Sequence, residues 1–213
     1  MNKTTIFYTR LLILLSFVFW PALYFLLWLN NGRKEEGERL NILIIPQFKR
    51  IGDIVCSTPA IRAIKEKYPD SRISVIVSVM AAGILKNNPR IDEIILIEDY
   101  YDDFLGLIKK IRQEKFDWGI SLSGSAMSSV LFFYGLIQNR LKITREDKPL
   151  AEASSDWMCN IKENYAELSY LPLFYLKMLR HLGIDSSDGR KAVFPSTESD
   201  EKVRLFLENK KIF

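Results

Sequence analysis

From Leu11 to Leu29 the chain is almost wholly apolar (LLILLSFVFWPALYFLLWL), and no charged residue occurs between Leu11 and Gly32. As a helix, those 19 residues rise about 28 Å, close to the ~30 Å hydrocarbon thickness of a bilayer, so an uncleaved N-terminal transmembrane helix is expected within residues 1–32. A cleaved signal peptide fits less well, because the run is longer than a signal core and leaves through Asn30-Asn31-Gly32 rather than small residues. Pro21 removes a backbone donor in mid-span, which leaves a kinked, monotopic insertion open. Residues 33–40 begin with the charged run RKEEGER and read as a linker.

Beyond Asn41 the period changes. Short aliphatic runs alternate with amphipathic stretches, the pattern of a parallel sheet covered on both faces. Ile42–Ile45 are four consecutive aliphatics, as a strand buried on both sides requires. Ile54, Ile61, Ile64 and Tyr68 then recur at helical spacing opposite Arg62, Lys65, Glu66 and Lys67, with Thr58-Pro59 suggesting a fresh helix start or a kink. Further strands are expected at Ile73–Val77, Ile94–Ile97 and Trp118–Leu122. Helices are expected at Ala81–Lys86, around Phe104–Ile111, and over Met127–Ile137, which is apolar nearly all round. Residues 144–168 lose periodicity and read as a long, partly helical excursion. Leu171–Leu182 is helical and closed by Gly183, Lys191–Phe194 is a possible strand, and Asp200–Lys211 is a final helix.

Composition narrows the chemistry. The 213 residues are 48% hydrophobic and 26% charged, with a formal net charge of +4. That charge is small, and no segment interleaves aromatics with dense Lys/Arg, so a nucleic-acid partner is not expected. Cys56 and Cys159 are far apart in sequence, which argues for reduced thiols. His181 is the one histidine, so histidine metal sites and Ser-His triads have little support and no metal is expected.

In an open α/β sheet, ligands bind at the carboxyl ends of the strands. The first such loop reads Gln47-Phe48-Lys49-Arg50-Ile51-Gly52-Asp53, with two cations, a glycine and a carboxylate. Gly52 permits a positive φ or a close backbone approach, and Asp53 stands where a helix begins. On a structural reading Asp53 is simply an N-cap and Lys49 and Arg50 are solvated. Neither a dinucleotide G-x-G-x-x-G nor a Walker loop is present.

Five pieces in order, Gly52-Asp53, Thr58-Pro59, Tyr68-Pro69-Asp70, Asn88-Pro89-Arg90-Ile91-Asp92 and Phe116-Asp117, together with Leu179–Ile184, resemble the amino-terminal domain of the heptosyltransferase-like glycosyltransferases of family 9. The resemblance extends over about residues 41–213. It implies a Rossmann-like acceptor domain (41–195) of a two-domain GT-B enzyme, followed by a helix (196–213) leading toward a donor domain. The sequence stops at Phe213, about where that second domain should begin, so the chain is expected not to transfer sugar unaided.

By the same resemblance the activity is inverting transfer from a nucleotide-sugar donor such as ADP-heptose to a lipid-linked, lipopolysaccharide-type glycan, with no cofactor or metal. Asp53 takes the place of the general base. One carboxylate suffices for such a reaction, because a nucleoside diphosphate leaves without needing an acid. Gly52, Lys49 and Arg50 are the expected substrate contacts, with Ser123 and Ser125 in the loop after strand four. Family members usually carry Asp in that strand, where this chain has Ser121. The expected location is the cytoplasmic face of a bacterial inner membrane. The alternative is a non-catalytic, membrane-tethered Rossmann-like binding module.

Overall fold

The computed structural model describes residues 39–47, 50–98, 104–165 and 170–210, together with 10–15, 18, 22 and 25 near the N-terminus. Six parallel strands form one sheet: β1 (Asn41–Ile45), β2 (Arg72–Ser78), β3 (Glu93–Ile97), β4 (Trp118–Ser121), β5 (Asn139–Thr144) and β6 (Ile161–Asn164). Their spatial order is β3-β2-β1-β4-β5-β6. This is a doubly wound Rossmann-like sheet whose order reverses between β1 and β4.

The strands are held in register by one continuous apolar row. Ile94, Val75, Ile44, Ile120, Leu141 and Ile161 lie side by side across all six. On that face they pack under α1 (Ile51–Lys67), α2 (Val79–Leu85) and α6 (Leu171–Met178). The alternate residues Leu43, Ile45, Ile76 and Ile95 face the other way, against α3 (Phe104–Glu114) and α4 (Ala126–Tyr134). Each such aliphatic contributes about 1.5–3 kcal/mol when fully buried, so a one-residue slip of any central strand would forfeit a row on both faces. A short helix α5 (Leu150–Ala153) lies in the β5–β6 connection, and α7 (Thr197–Asn209), capped by Ser196, ends the described chain.

Helix α1 does not restart at Thr58-Pro59. The amide that Pro59 lacks would have bonded Val55 O; Thr58 Oγ1 donates to that carbonyl instead at 2.8 Å, and the helix runs on unbroken. Residues 191–194 are not a strand. The segment after Gly183, which adopts φ +71, is strapped along α1: Arg62 Nη1 donates to Arg190 O (2.8 Å), Arg62 Nη2 to Asp188 O (2.6 Å), and Ala192 N to Thr58 Oγ1 (3.0 Å). It lies on a helix rather than at a sheet edge, where β3 and β6 stand. The excursion at 144–168 contains the end of β5, α5 and the edge strand β6. Trp157 and Met158 pack inward there, Met158 fully buried and Trp157 edge-on to Phe133 at 5.1 Å.

The expected membrane span and linker fall mostly outside the described residues. Residues 10–15 are helical; Ile13 is 4% exposed among the core of the second face, and Tyr134 Oη donates to Leu12 O at 3.0 Å. Among the described residues no helix is long and apolar enough to cross a membrane. Both cysteines are free thiols.

Candidate functional site

At the switch point, where open α/β sheets place their ligand crevice, the carboxyl ends of β1 and β4 lead into separate loops. Leu122 N still donates to Ile45 O (2.9 Å), and Gln47 Nε2 reaches Ser123 O (3.5 Å), so the two loops are tied at their base. The first loop ends in α1. Arg50 holds the N-cap position, and no side chain caps the helix. Asp53 therefore sits inside the first turn and is not the N-cap, its carboxylate favoured there by the amino end of the helix. Its side chain is 27% exposed and lies 3.8 Å from the guanidinium of Arg50, itself 77% exposed. Gly52 is helical and not in the left-handed region, and among the described residues nothing beyond its chain neighbours and its own helix backbone lies within 4 Å of where its Cβ would be. What the glycine leaves is open space beside Asp53. Lys49 is outside the described residues.

The second loop is tightly built. Gly124 adopts φ +67, where a side chain would meet Ile143 O at 3.1 Å. The hydroxyls of Ser123 and Ser125 are engaged: Ser123 Oγ accepts from Ser125 N (3.3 Å), and Ser125 Oγ caps α4 by accepting from Met127 N (3.2 Å). They hold the loop's shape, and a ligand would have to share them. Ser121 and Ser128 are hydrogen-bonded at 2.6 Å, and Ser128 Oγ donates to Ser125 O at 2.7 Å.

Beneath this loop is a buried cation that the sequence pattern hides. Lys142 on β5 is 1% exposed; its Nζ donates to Ser129 Oγ (3.0 Å) and Ser155 Oγ (3.1 Å) and pairs with Asp156 at 3.0 Å. Lys148 binds the other oxygen of Asp156. Burial alone would raise the Asp156 carboxyl, but the hydrogen bonds from Lys148 and Lys142 outweigh it and hold it below the usual range. Glu152 on α5 differs. Burial pushes its carboxyl up, only partly opposed by Arg145 and Lys142. From the other side Tyr175 of α6 donates to Leu122 O (3.1 Å), its phenol pushed up by burial and by Asp53. Cys56, one turn beyond Asp53, also has a raised thiol, chiefly through burial.

Among the six motif pieces, Gly52-Asp53 alone stands at the crevice; Thr58-Pro59 lies further along α1. The others fasten the opposite end of the sheet: Tyr68 Oη donates to Leu182 O (2.7 Å), Asp92 accepts from Ile73 N (2.8 Å), and Asp117 from Asn41 N (2.7 Å). His181 pairs with Glu163 on the surface at 3.1 Å. Asp99, Tyr100, Tyr101, Asp102 and Asp103, an acidic and aromatic cluster in the sequence after β3, lie outside the described residues. No group of three His, Cys, Asp or Glu among the described residues could hold a metal ion.

The fold and this crevice define a Rossmann-like domain that offers a carboxylate at its switch point. No family model matches the chain. Lipopolysaccharide heptosyltransferase 3 of Escherichia coli is 30% identical over 102 residues, which cover 45% of this chain and 29% of that protein. Its counterpart in strain K12 is 31% identical over 87 residues, 38% of this chain and 25% of the relative. Among solved structures, a family 9 glycosyltransferase from Veillonella parvula superposes with a TM-score of 0.65 at 16% identity, covering 84% of this chain and 52% of that one. E. coli ADP-heptose lipopolysaccharide heptosyltransferase II gives 0.59 at 18% identity, with 78% and 50% coverage. The chain thus resembles the family 9 heptosyltransferases in sequence and in fold, and it spans about half the length of the family structures it matches.

Proposed function

We propose that the chain is the acceptor-side, amino-terminal half of a membrane-associated glycosyltransferase. It works with a donor-binding half to transfer a sugar from a nucleotide-sugar of the ADP-heptose kind to a lipid-linked, lipopolysaccharide-type glycan. The observation that supports this reading best is the partly exposed Asp53 carboxylate beside the open space over Gly52, at the switch point of a family 9-like fold. An acceptor hydroxyl lying there hands its proton to Asp53 as its oxygen bonds the anomeric carbon. The bond from that carbon to the diphosphate breaks on the far face, so configuration inverts. The leaving diphosphate needs positive potential rather than an acid; the amino end of α1 and Arg50, with Lys49 in the same loop, are the groups of this half that supply it.

No step calls for a metal. The apolar run that continues beyond residues 10–15, where Ile13 packs into the core of the second face, confines the domain to the bilayer that holds its acceptor, on the cytoplasmic side of a bacterial inner membrane. The test is sugar transfer from ADP-heptose to lipopolysaccharide acceptor by the natural polypeptide and by its Asp53→Asn variant. Removing a general base lowers turnover about 10²–10⁴-fold; unchanged turnover overturns the assignment of Asp53 as base, and no transfer by the natural polypeptide itself overturns the reading and leaves a membrane-tethered binding module.

A further inference from the structure

Of the two carboxylates just below the β4 loop, Asp156 takes both available lysines, and the Glu152 carboxylate makes no ion pair or hydrogen bond among the described residues. Only its backbone is used: Glu152 O accepts from Ser155 Oγ (2.8 Å) and Lys142 Nζ (3.4 Å). Half-buried carboxylates are ordinarily hydrogen-bonded, and one left unpaired costs the desolvation of its charge.

Placement supplies a reason for keeping it. Glu152 Oε2 lies 3.9 Å from the position a Cβ would occupy on Gly124, so it abuts the loop whose neighbouring carbonyl, Ser123 O, receives Gln47 from the β1 loop. Asp53 stands in the first turn of α1, which follows β1, and Glu152 in α5, which follows β5; β4, whose loop Glu152 abuts, lies between β1 and β5 in the sheet.

We infer that Glu152 is a specificity residue of the acceptor site, whose carboxylate accepts hydrogen bonds from neighbouring hydroxyls of an unphosphorylated sugar while Asp53 faces the attacking hydroxyl. This rests on the glycosyltransferase reading. The ligand chemistry follows from charge. A second carboxylate repels phosphate, Lys142 and Lys148 are committed to Asp156, and Arg145 offsets only part of what burial does to Glu152, whereas hydroxyl donors satisfy both of its oxygens. The groups facing Glu152 are Arg145, Lys142, Asp156 and Lys148. Because burial raises its carboxyl, the ionised, accepting form is gained as pH rises through that raised value, and acceptor binding weakens on the acid side.

The experiment compares wild type with Glu152→Gln and Glu152→Ala in the natural polypeptide, using ADP-heptose and lipopolysaccharide. Acceptor KM should rise at least fivefold in both variants, with donor KM unchanged and kcat within twofold. In Glu152→Gln the acid-side rise of acceptor KM should vanish. An unchanged acceptor KM while Asp53→Asn abolishes transfer overturns the inference and leaves the reaction standing. If the wild type transfers no sugar, it is the glycosyltransferase reading that fails, and calorimetric binding of deacylated lipopolysaccharide core oligosaccharide then decides. Weaker binding to Glu152→Gln upholds the hydroxyl-binding role, and equal binding ends it.

Discussion

The two ends of the sheet differ in how they hold their carboxylates. At the amino ends the acids that open β3 and β4 are engaged. Asp117 accepts from Asn41 N, Asp92 from Ile73 N and Lys65 Nζ (2.8 Å each), and Glu93 pairs with Arg72 (2.7 Å) and Lys110 (2.5 Å). At the carboxyl ends Asp53 has a loose 3.8 Å contact with an exposed arginine, and the Glu152 carboxylate has no partner among the described residues. Paired acids stabilise a fold, while unpaired ones in a crevice remain available to a ligand. The same polypeptide thus divides its acids between holding the strands and meeting a substrate.

Stability measurements can break or sharpen this division. The largest loss belongs to Lys142→Met, which removes a cation from the buried Asp156 pair. Breaking such pairs costs about 3–5 kcal/mol, and Lys148 stays on Asp156, so about 3 kcal/mol is expected in denaturant unfolding. A negligible loss would mean that the cluster is structurally idle.

Next comes Asp92→Asn, expected to cost about 2 kcal/mol because bonds to a charged group contribute about 1.5–3 kcal/mol. Burial would raise the Asp92 carboxyl, but Lys65, the Ile73 amide and Arg39 together hold it below its ordinary value. A depressed carboxylate contributes its stability fully above its ordinary pKa of about 4 and loses it as pH falls through the folded value. The wild type should therefore weaken below about pH 4, and Asp92→Asn should lose part of that slope. Thr58→Val removes both the bond to Val55 O and the anchor for Ala192 N, for about 1 kcal/mol and faster amide exchange at Ala192. Smallest is Arg50→Ala, within about 0.5 kcal/mol of wild type because exposed pairs contribute little.

Much of the fold could be read from hydrophobic spacing. Ile42–Ile45 is an unbroken aliphatic run and Ile73–Val77 is one interrupted by Ser74, as doubly covered strands require, and both are central strands. β5 could not be read that way. Arg140 and Lys142 alternate with Leu141 and Ile143 as they would on a solvated strand, yet Arg140 is buried with donors on Met158 O (2.6 Å) and Ile137 O (2.5 Å), and Lys142 is sealed against Asp156. Long-range partners decide that burial, and no local pattern reveals them. β6, Ile161–Asn164, is a four-residue edge strand with half its residues exposed, too short and too polar to show a period. Lys191–Phe194 reads as a short strand in sequence, but Arg62, through Asp188 O and Arg190 O, and Thr58, through Ala192 N, hold this part of the chain on a helix surface.

The candidate site divides along similar lines. Asp53 was legible from the strand-loop-helix grammar, since a carboxylate after the first strand must emerge at the switch point. Ser123 and Ser125 were placed in the right loop, but their hydroxyls serve the turn and the α4 cap. Glu152 was invisible: it lies in a four-residue helix within a stretch that lacks periodicity, and its meaning comes from Gly124, 28 residues earlier in sequence.

The most direct test measures turnover and unfolding free energy together on one preparation of Asp53→Asn in the natural polypeptide. Transfer should fall about 10²–10⁴-fold, with stability within about 1 kcal/mol of wild type, the scale of a lost first-turn charge. Turnover that survives, or that falls only because the variant unfolds, would contradict the assignment of chemistry to the open end of the sheet.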